Sequence, residues 1–296
     1  MSLELAWGRW RRWWLRTLRP KYVRAMAERR QGSCVNCPHN IVDPRDLKFY
    51  RNVCGYWFRP EDDRFRWRDR LGVARVGLGE IVIFSAILLL LLAGCSAAGW
   101  DVWPNWLLAP VVGVILLCWL QIIYFFRDPE RTIPADPSAL VSPADGTITD
   151  IGEVDEPDFP GGRAVRVGIF LSVFNVHVNR IPRSGRITRL QYFPGKFFDA
   201  RRSEARTDNE QLWIDMVDAA TGTPLRIKQI SGLIARRIVC WLKVGEDLKT
   251  GERIGMIKFG SRTEVYLPAD KAVEVAVRVG ETVQGGATVL LRFKQP

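Results

Sequence analysis

The chain has 296 residues, 47% of them hydrophobic and 25% charged, with a net charge of +11. That length suits one or two ordinary domains, and the composition excludes a disordered chain, a collagen and a small disulfide-stapled scaffold. The charge is unevenly spread: residues 1–79 carry 18 Lys/Arg against 8 Asp/Glu, residues 80–126 carry no Lys or Arg and two acids, and residues 127–296 carry 25 against 22. The basic quarter adjoins a strongly apolar stretch, so the partner it implies is an anionic lipid surface and not nucleic acid.

The first region, 1–79, opens with Leu3, Trp7, Trp10, Trp14 and Leu18 at steps of three and four, one face of a helix. Arg9, Arg12, Arg16 and Arg19 lie off that face, and Pro20 marks a break. Tryptophan on one side and arginine on the other suits a helix lying in the headgroup plane, although such a helix could also pack on the protein's own surface. Cys34, Cys37, His39 and Cys54 follow. Thiolates and imidazole are zinc ligands, and three Cys with one His complete a tetrahedron. The spacing is only partly regular, so unliganded thiols are the other reading. None of the six cysteines suggests an extracellular disulfide framework.

The second region, 80–126, holds two uncharged runs, Ile81–Trp100 and Val102–Phe126. About 20 apolar residues in a helix cross a hydrocarbon core. The two runs are expected to form a transmembrane hairpin over about 81–99 and 105–126, joined by a short turn with Trp100, Trp103, Pro104 and Trp106 at the interface. A buried hairpin of a soluble protein fits less well, because Leu88 to Leu92 and Val111 to Leu117 are apolar on every face. Arginines 64, 66, 68, 70 and 75 precede the first run, and Arg127 and Arg131 follow the second, so both chain ends are expected on the cytoplasmic side.

The third region, 127–296, alternates short Val/Ile/Leu/Phe runs with Gly, Pro and Asp-Gly turns, and helical periodicity is scarce. The pattern predicts a mainly β domain, an antiparallel sandwich or barrel. A weak repeat aligns Val244-Gly-Glu with Val279-Gly-Glu, 35 residues later, and Gly251 with Gly286. Glycines at fixed offsets supply two similar turns, like those of lipoyl- and biotinyl-type sandwiches.

This region has a single histidine, His177, so any imidazole chemistry in it falls to that residue. Asp145, in Ser142-Pro-Ala-Asp-Gly146, and Ser261, in Lys258-Phe-Gly-Ser-Arg262, complete an Asp/His/Ser set. Each alone is ordinary: a core histidine, a hairpin Asp-Gly, a loop Gly-Ser. Together they could form a triad in which the carboxylate orients the imidazole and the imidazole takes the hydroxyl proton.

Four segments in order, Tyr124-Phe-Phe-Arg-Asp-Pro-Glu-Arg-Thr-Ile-Pro134, Val141–Gly146, Asn175-Val-His-Val-Asn-Arg180 and Phe259-Gly-Ser-Arg262, resemble the phosphatidylserine decarboxylases, and most closely their short bacterial and archaeal-type branch. The resemblance runs from about residue 120 to the C-terminus and does not cover 1–79. It implies a decarboxylase domain over 127–296 that cleaves itself between Gly260 and Ser261. Ser261 would be both the nucleophile and the source of a covalent pyruvoyl cofactor, with His177 as base held by Asp145; no metal is assigned to this site. The enzyme implied is a pyruvoyl-dependent carboxy-lyase that turns phosphatidylserine into phosphatidylethanolamine and CO₂ through a Schiff base. Loss of CO₂ from an α-amino acid needs such an electron sink, which no ordinary side chain provides. The resemblance also implies that the large N-terminal and small C-terminal products stay associated at the cell's inner membrane, with the catalytic domain on the cytoplasmic side. Free strand edges would allow a homodimer. The competing readings are a non-catalytic membrane-anchored barrel-sandwich adaptor, a serine hydrolase, and a decarboxylase of an archaeal-type serine ether lipid. The hydrolase lacks a Gly-x-Ser-x-Gly elbow around Ser261.

Overall fold

A computed structural model describes residues 2–35, 37–48, 50–97, 105–233, 237–258, 260–271 and 273–294. Four helices of ten or more residues come first among them: α1 (Ser2–Leu18), α2 (Pro20–Arg29), α3 (Leu78–Ala97) and α4 (Asn105–Phe125). A two-residue ladder, β1 (Gln31–Gly32) with β2 (Tyr56–Trp57), lies between α2 and α3. The remainder is β: β3 (Ala139–Val141), β4 (Gly146–Asp155), β5 (Arg163–Leu171), β6 (Val178–Arg180), β7 (Gly185–Phe193), β8 (Gln211–Asp218) and β9 (Pro224–Ser231). Then come β10 (Ile238–Cys240), β11 (Asp247–Leu248), β12 (Arg253–Ile257), β13 (Ser261–Pro268), β14 (Val273–Val275), β15 (Thr282–Val283) and β16 (Val289–Phe293).

The β region is organised around one antiparallel sheet in the order β11-β7-β8-β9-β13-β5-β4-β15, curled into a half-barrel. Two three-stranded sheets, β10-β12-β6 and β14-β16-β3, accompany it. Period-two alternation explains the curl's dry interior. On β8, Leu212, Ile214 and Met216 are buried in the main core, where they join Ile169, Ile227 and Val265 from the neighbouring strands. The repeated turns sit at the two edges of this sheet. Gly245, Gly251, Gly280 and Gly286 all have φ between 79° and 89°, the left-handed region that favours glycine. In each turn the Glu carboxylate accepts the backbone N–H three residues earlier: Glu246 from Lys243 at 3.1 Å, Glu281 from Arg278 at 3.0 Å.

The helices meet this domain at one place. The chain entering α3 and the chain leaving α4 form an antiparallel bridge, Val73 with Arg127, so these two ends lie side by side. Trp119 Nε1 donates to Ser85 Oγ across the helix pair at 2.8 Å. A satellite core of Ala74, Val76, Phe125, Phe126, Val176, Val178, Val239 and Met256 welds this junction to β6, β10 and β12. Gly77 is required there, since a Cβ would stand 2.1 Å from the Phe126 ring.

Two expectations about the helices are met only in part. Among the described residues only Arg75–Gly94 is long and apolar enough to cross a membrane; Ala109–Phe125 is apolar but shorter. Most of the Trp-bearing turn, 98–104, lies outside the described residues. Helix α1 leaves Trp7, Trp10, Trp13 and Leu18 exposed and buries Leu15. Arg12 departs from the rest of the expected polar side, for it is buried while Arg9, Arg16 and Arg19 are exposed. The reason is electrostatic: Asp46 is buried and pairs with Arg11 and with Arg12 at 3.1 Å, so these two arginines turn inward.

Strand β13 lies between β9 and β5, with six register pairs to one and eight to the other. If the chain is cut ahead of Ser261, the 36-residue tail remains a central strand. The tail should therefore co-elute with the large fragment in native gel filtration and part from it only in denaturant. Loss of the tail in native buffer would contradict this.

Candidate active site

Strand β13 places its alternate residues on opposite faces. Ser261, Thr263, Val265 and Leu267 face the interior, and Arg262, Glu264 and Tyr266 face the other way. The outward set is locked by charge. Arg262 pairs with Asp150, and its Nε donates to Glu264 at 2.6 Å; Arg166 and Arg206 reach Asp150 at 2.9 and 2.8 Å. Burial works against the Asp150 carboxylate, but Arg262, Thr149 and Arg166 outweigh it and hold its pKa below the usual range. Arg262 is 2% exposed, and a buried guanidinium left without its carboxylates would be costly, so the register of Ser261 is fixed from behind.

Ser261 heads the strand, fully buried, and its hydroxyl has no hydrogen-bond partner. Gly260 before it has φ 71°, while nothing would obstruct a Cβ there; conformation, not space, demands glycine. Gly232 answers a spatial need, because a Cβ on it would come within 2.6 Å of the Gly260 carbonyl oxygen.

His177 stands beside Gly260. Its Nε2 accepts the Gly260 N–H at 3.2 Å, so the ring proton sits on Nδ1 and is donated to the Asn175 carbonyl at 2.9 Å. A turn in which Asn175 Oδ1 accepts from Ser172 N at 2.9 Å positions that carbonyl. The Phe125 ring, at the end of α4, packs on the imidazole at a centroid distance of 4.4 Å. Burial pushes the His177 pKa down to about 4; the Asn175 carbonyl opposes the shift and nearby Arg127 adds to it. The ring is therefore a neutral base at pH 7.

Asp145 is not on the imidazole. Both nitrogens of His177 are engaged elsewhere, and the carboxylate takes Arg131 at 2.7 and 2.9 Å and the Gly285 N–H at 2.8 Å. The structure brings Ser261 and His177 to the two sides of Gly260 and leaves Asp145 one step removed, bracing the segment that follows α4. The charges of that segment are a clasp onto the β domain. Arg127 donates to the Phe174 carbonyl at 2.8 Å, and Asp128 pairs with Arg180 at 2.8 Å and with Arg253 at 2.5 Å.

A second group of residues was not singled out from the sequence. On β9 the inward positions run Leu225, Ile227, Gln229, Ser231, and on β13 they run Leu267, Val265, Thr263, Ser261. Both strands turn from aliphatic to polar at the same end. Gln229 Nε2 donates to Asn179 Oδ1 at 2.6 Å. Asn179 Nδ2, Gln229 Oε1, Ser231 Oγ and Thr263 Oγ1 are buried without partners. Five orphaned polar atoms around one strand end, Ser261 Oγ included, mark a place built to bind something polar. The legible signal was the shared change of pattern, which has meaning only once the two strands are known to pair.

Comparison with known proteins accords with this geometry. The sequence model of the family described as phosphatidylserine decarboxylase matches residues 120–291. A protein of Rhodopirellula baltica, called phosphatidylserine decarboxylase proenzyme, is 47% identical over 250 residues, 84% of this chain and 100% of that protein. Proteins of the same name from Oleidesulfovibrio alaskensis and Ruegeria pomeroyi are 50% and 45% identical, over 64% and 70% of this chain and 84% and 89% of theirs.

The His177 environment predicts a pH signature. Between 6.5, the ordinary imidazole value, and about 4, the unfolded chain takes up a proton that the folded one refuses. Stability should fall as pH drops through that window, by up to about 3 kcal/mol. Melting temperatures of an uncut Ser261→Ala chain, with and without His177→Gln, measure it: the added substitution should flatten the slope between pH 6.5 and 4. Equal slopes would refute the assignment.

Proposed function

Because the chain belongs to the phosphatidylserine decarboxylase family, and so converts phosphatidylserine to phosphatidylethanolamine and CO₂, we propose that it makes its own catalytic group, a pyruvoyl, from Ser261. The adaptor and hydrolase readings give way to that family membership. The observation that carries the proposal is Ser261 itself, a buried hydroxyl without a partner, directly after a left-handed glycine whose N–H a neutral imidazole accepts. The relatives' name, proenzyme, supports a processed chain.

The chemistry balances with residues of this chain. His177 Nε2 exchanges the Gly260 N–H for the Ser261 hydroxyl and takes its proton. Oγ attacks the Gly260 carbonyl carbon, the C–N bond breaks, the proton passes to the freed nitrogen, and an ester replaces the amide. Removal of the Ser261 α-proton expels the Gly260 carboxylate from Cβ and leaves dehydroalanine. Water then adds at Cα, ammonia departs, and a pyruvoyl caps the new N-terminus. The left-handed Gly260 leaves its carbonyl open to attack. Asp145 acts at a distance, by holding Arg131 and the Gly285 turn in place.

Once formed, the pyruvoyl carbonyl supplies the electron sink that decarboxylation requires. The residues around it would recognise the serine headgroup. However the Asn179 and Gln229 amides are turned, one donor and one acceptor stay free, suited to a carboxylate and an ammonium. His177 Nε2, once it carries a proton, can return it to the carbon that loses CO₂.

Membrane attachment follows the same logic. We read α3 and α4 as a hairpin in the inner membrane, spanning about 81–99 and 105–126, with both chain ends and the catalytic domain on the cytoplasmic side. The side-by-side ends at Val73 and Arg127 and the arginine-rich flanks support this topology. Exposed Trp7, Trp10 and Trp13 suit contact with the headgroup plane, and exposed Phe174 follows the site's own turn. Phe125 then links the end of a span directly to His177, and a diacyl substrate need not leave the bilayer to reach Ser261.

A denaturing gel with a decarboxylation assay tests the proposal. The unmodified chain should lose about 4 kDa and release CO₂ from phosphatidylserine; Ser261→Ala should give one uncut band and no CO₂. Because Asp145 touches neither group directly, Asp145→Asn should slow cleavage by roughly ten-fold, and His177→Ala by at least about a hundred-fold. A cleaved Ser261→Ala chain would overturn the reading.

A further inference from the structure

Residues 31–58 form a small unit that the decarboxylase reading does not use. Among the described residues its buried apolar side chains are few, Ile41, Val42, Leu47 and Cys54, far short of what holds an independent fold together. Three sulfurs converge inside it. Those of Cys34, Cys37 and Cys54 all lie within 4.8 Å of one another. Cys34 and Cys37 are paired as a disulfide, with Cα atoms 5.7 Å apart, and the Cys54 sulfur is 2.8 Å from that of Cys37. A disulfide would engage two of these sulfurs and leave the third with only a thiol hydrogen bond to Cys37 Sγ. A tetrahedral metal with about 2.3 Å metal–sulfur bonds sets its sulfurs about 3.8 Å apart, and so accounts for all three.

The fourth position has a candidate with the right tautomer. His39 Nε2 is 3.2 Å from the Asp46 carbonyl oxygen. A carbonyl only accepts, so Nε2 carries the proton and Nδ1 keeps its lone pair. That Nδ1 is buried and has no partner. An imidazole that donates its far N–H to a backbone carbonyl and presents the other nitrogen is the usual arrangement of a metal-ligating histidine. Its nitrogens lie outside the sulfur cluster, so ligation requires the 38–40 segment to close on it. The backbone is shaped for a tight knuckle: Gly32 has φ 83°, and a Cβ on Gly55 would stand 1.9 Å from the Ser33 carbonyl oxygen.

We infer that Cys34, Cys37 and Cys54, as thiolates, bind one structural zinc ion with His39 Nδ1 as the fourth ligand. The zinc holds the N-terminal region against the β domain. The unit touches that domain through Lys243 Nζ, which donates to the Tyr56 carbonyl at 3.0 Å, and through Arg51, paired with Glu246 at 2.7 Å. Both contacts fall on one of the two repeated glycine turns. Binding converts three thiols to thiolates and releases their protons, so no oxidant or reductant takes part.

Metal analysis of the full-length chain, purified in detergent with a phosphine reductant and no chelator, tests the inference. About one zinc per chain is expected in the unmodified protein and in Cys118→Ser, whose thiol lies on α4, and at least about ten-fold less in Cys34→Ser and Cys54→Ser. His39→Ala should lose zinc to a competing chelator at least about ten-fold more readily. Cobalt loading of the unmodified chain should give intense thiolate charge-transfer absorption with a tetrahedral ligand-field band, a result that needs no variant to fold. Less than about a tenth of an equivalent of zinc in the unmodified chain would overturn the site. So would a Cys34–Cys37 disulfide in thiol-blocked protein that carries no metal, or equal zinc in every variant. Unchanged chelator resistance in His39→Ala would overturn the fourth ligand.

Discussion

The site depends on one dipeptide, Gly260-Ser261, being held still from three sides. Behind it, Arg262 is buried among Asp150 and Glu264, so β13 cannot slide without stranding a charge. On either flank it is hydrogen-bonded into β9 and β5. In front, His177 Nε2 takes the Gly260 N–H. A one-residue slip would turn Ser261 outward and bring Arg262 into the apolar interior, so register and chemistry are fixed by the same constraint.

That dipeptide lies close to where the helices join the β domain. Phe125 and Phe126 end α4 inside a core shared with Val176 and Val178, and the charged residues that follow are each taken up by the β domain. An enzyme acting on a bilayer lipid needs its reactive group close to the headgroups, and a rigid junction sets that distance better than a flexible linker would. The burial that depresses the His177 pKa comes partly from this junction, where the Phe125 ring packs on the imidazole.

Much of this was legible in the residues alone. The short Val/Ile/Leu/Phe runs of 127–296 become strands such as β5 and β9, and the Val-Gly-Glu repeat gives two turns alike down to the carboxylate cap. Strand β8 follows the same alternation, with Asp215 between the inward Ile214 and Met216 and Asp218 at its end, each paired with an arginine, Arg226 and Arg183. The Asp-His-Ser set was visible as three residues but not as a geometry. Sequence spacing could not show that the Asn175 carbonyl, two residues before His177, would take the ring proton expected to point at Asp145. The inward turn of Arg11 and Arg12 was hidden for the same reason, since the buried Asp46 that draws them in lies about thirty-five residues away. Long-range pairing of charges leaves little trace in local pattern.

The most direct measurement is the intact mass of the small fragment from freshly purified protein. A fragment that begins at residue 261 and is lighter than a serine N-terminus by one ammonia is the predicted result. A fragment with an unaltered serine at its head, or a chain that is never divided, would contradict the central claim that this serine becomes the cofactor.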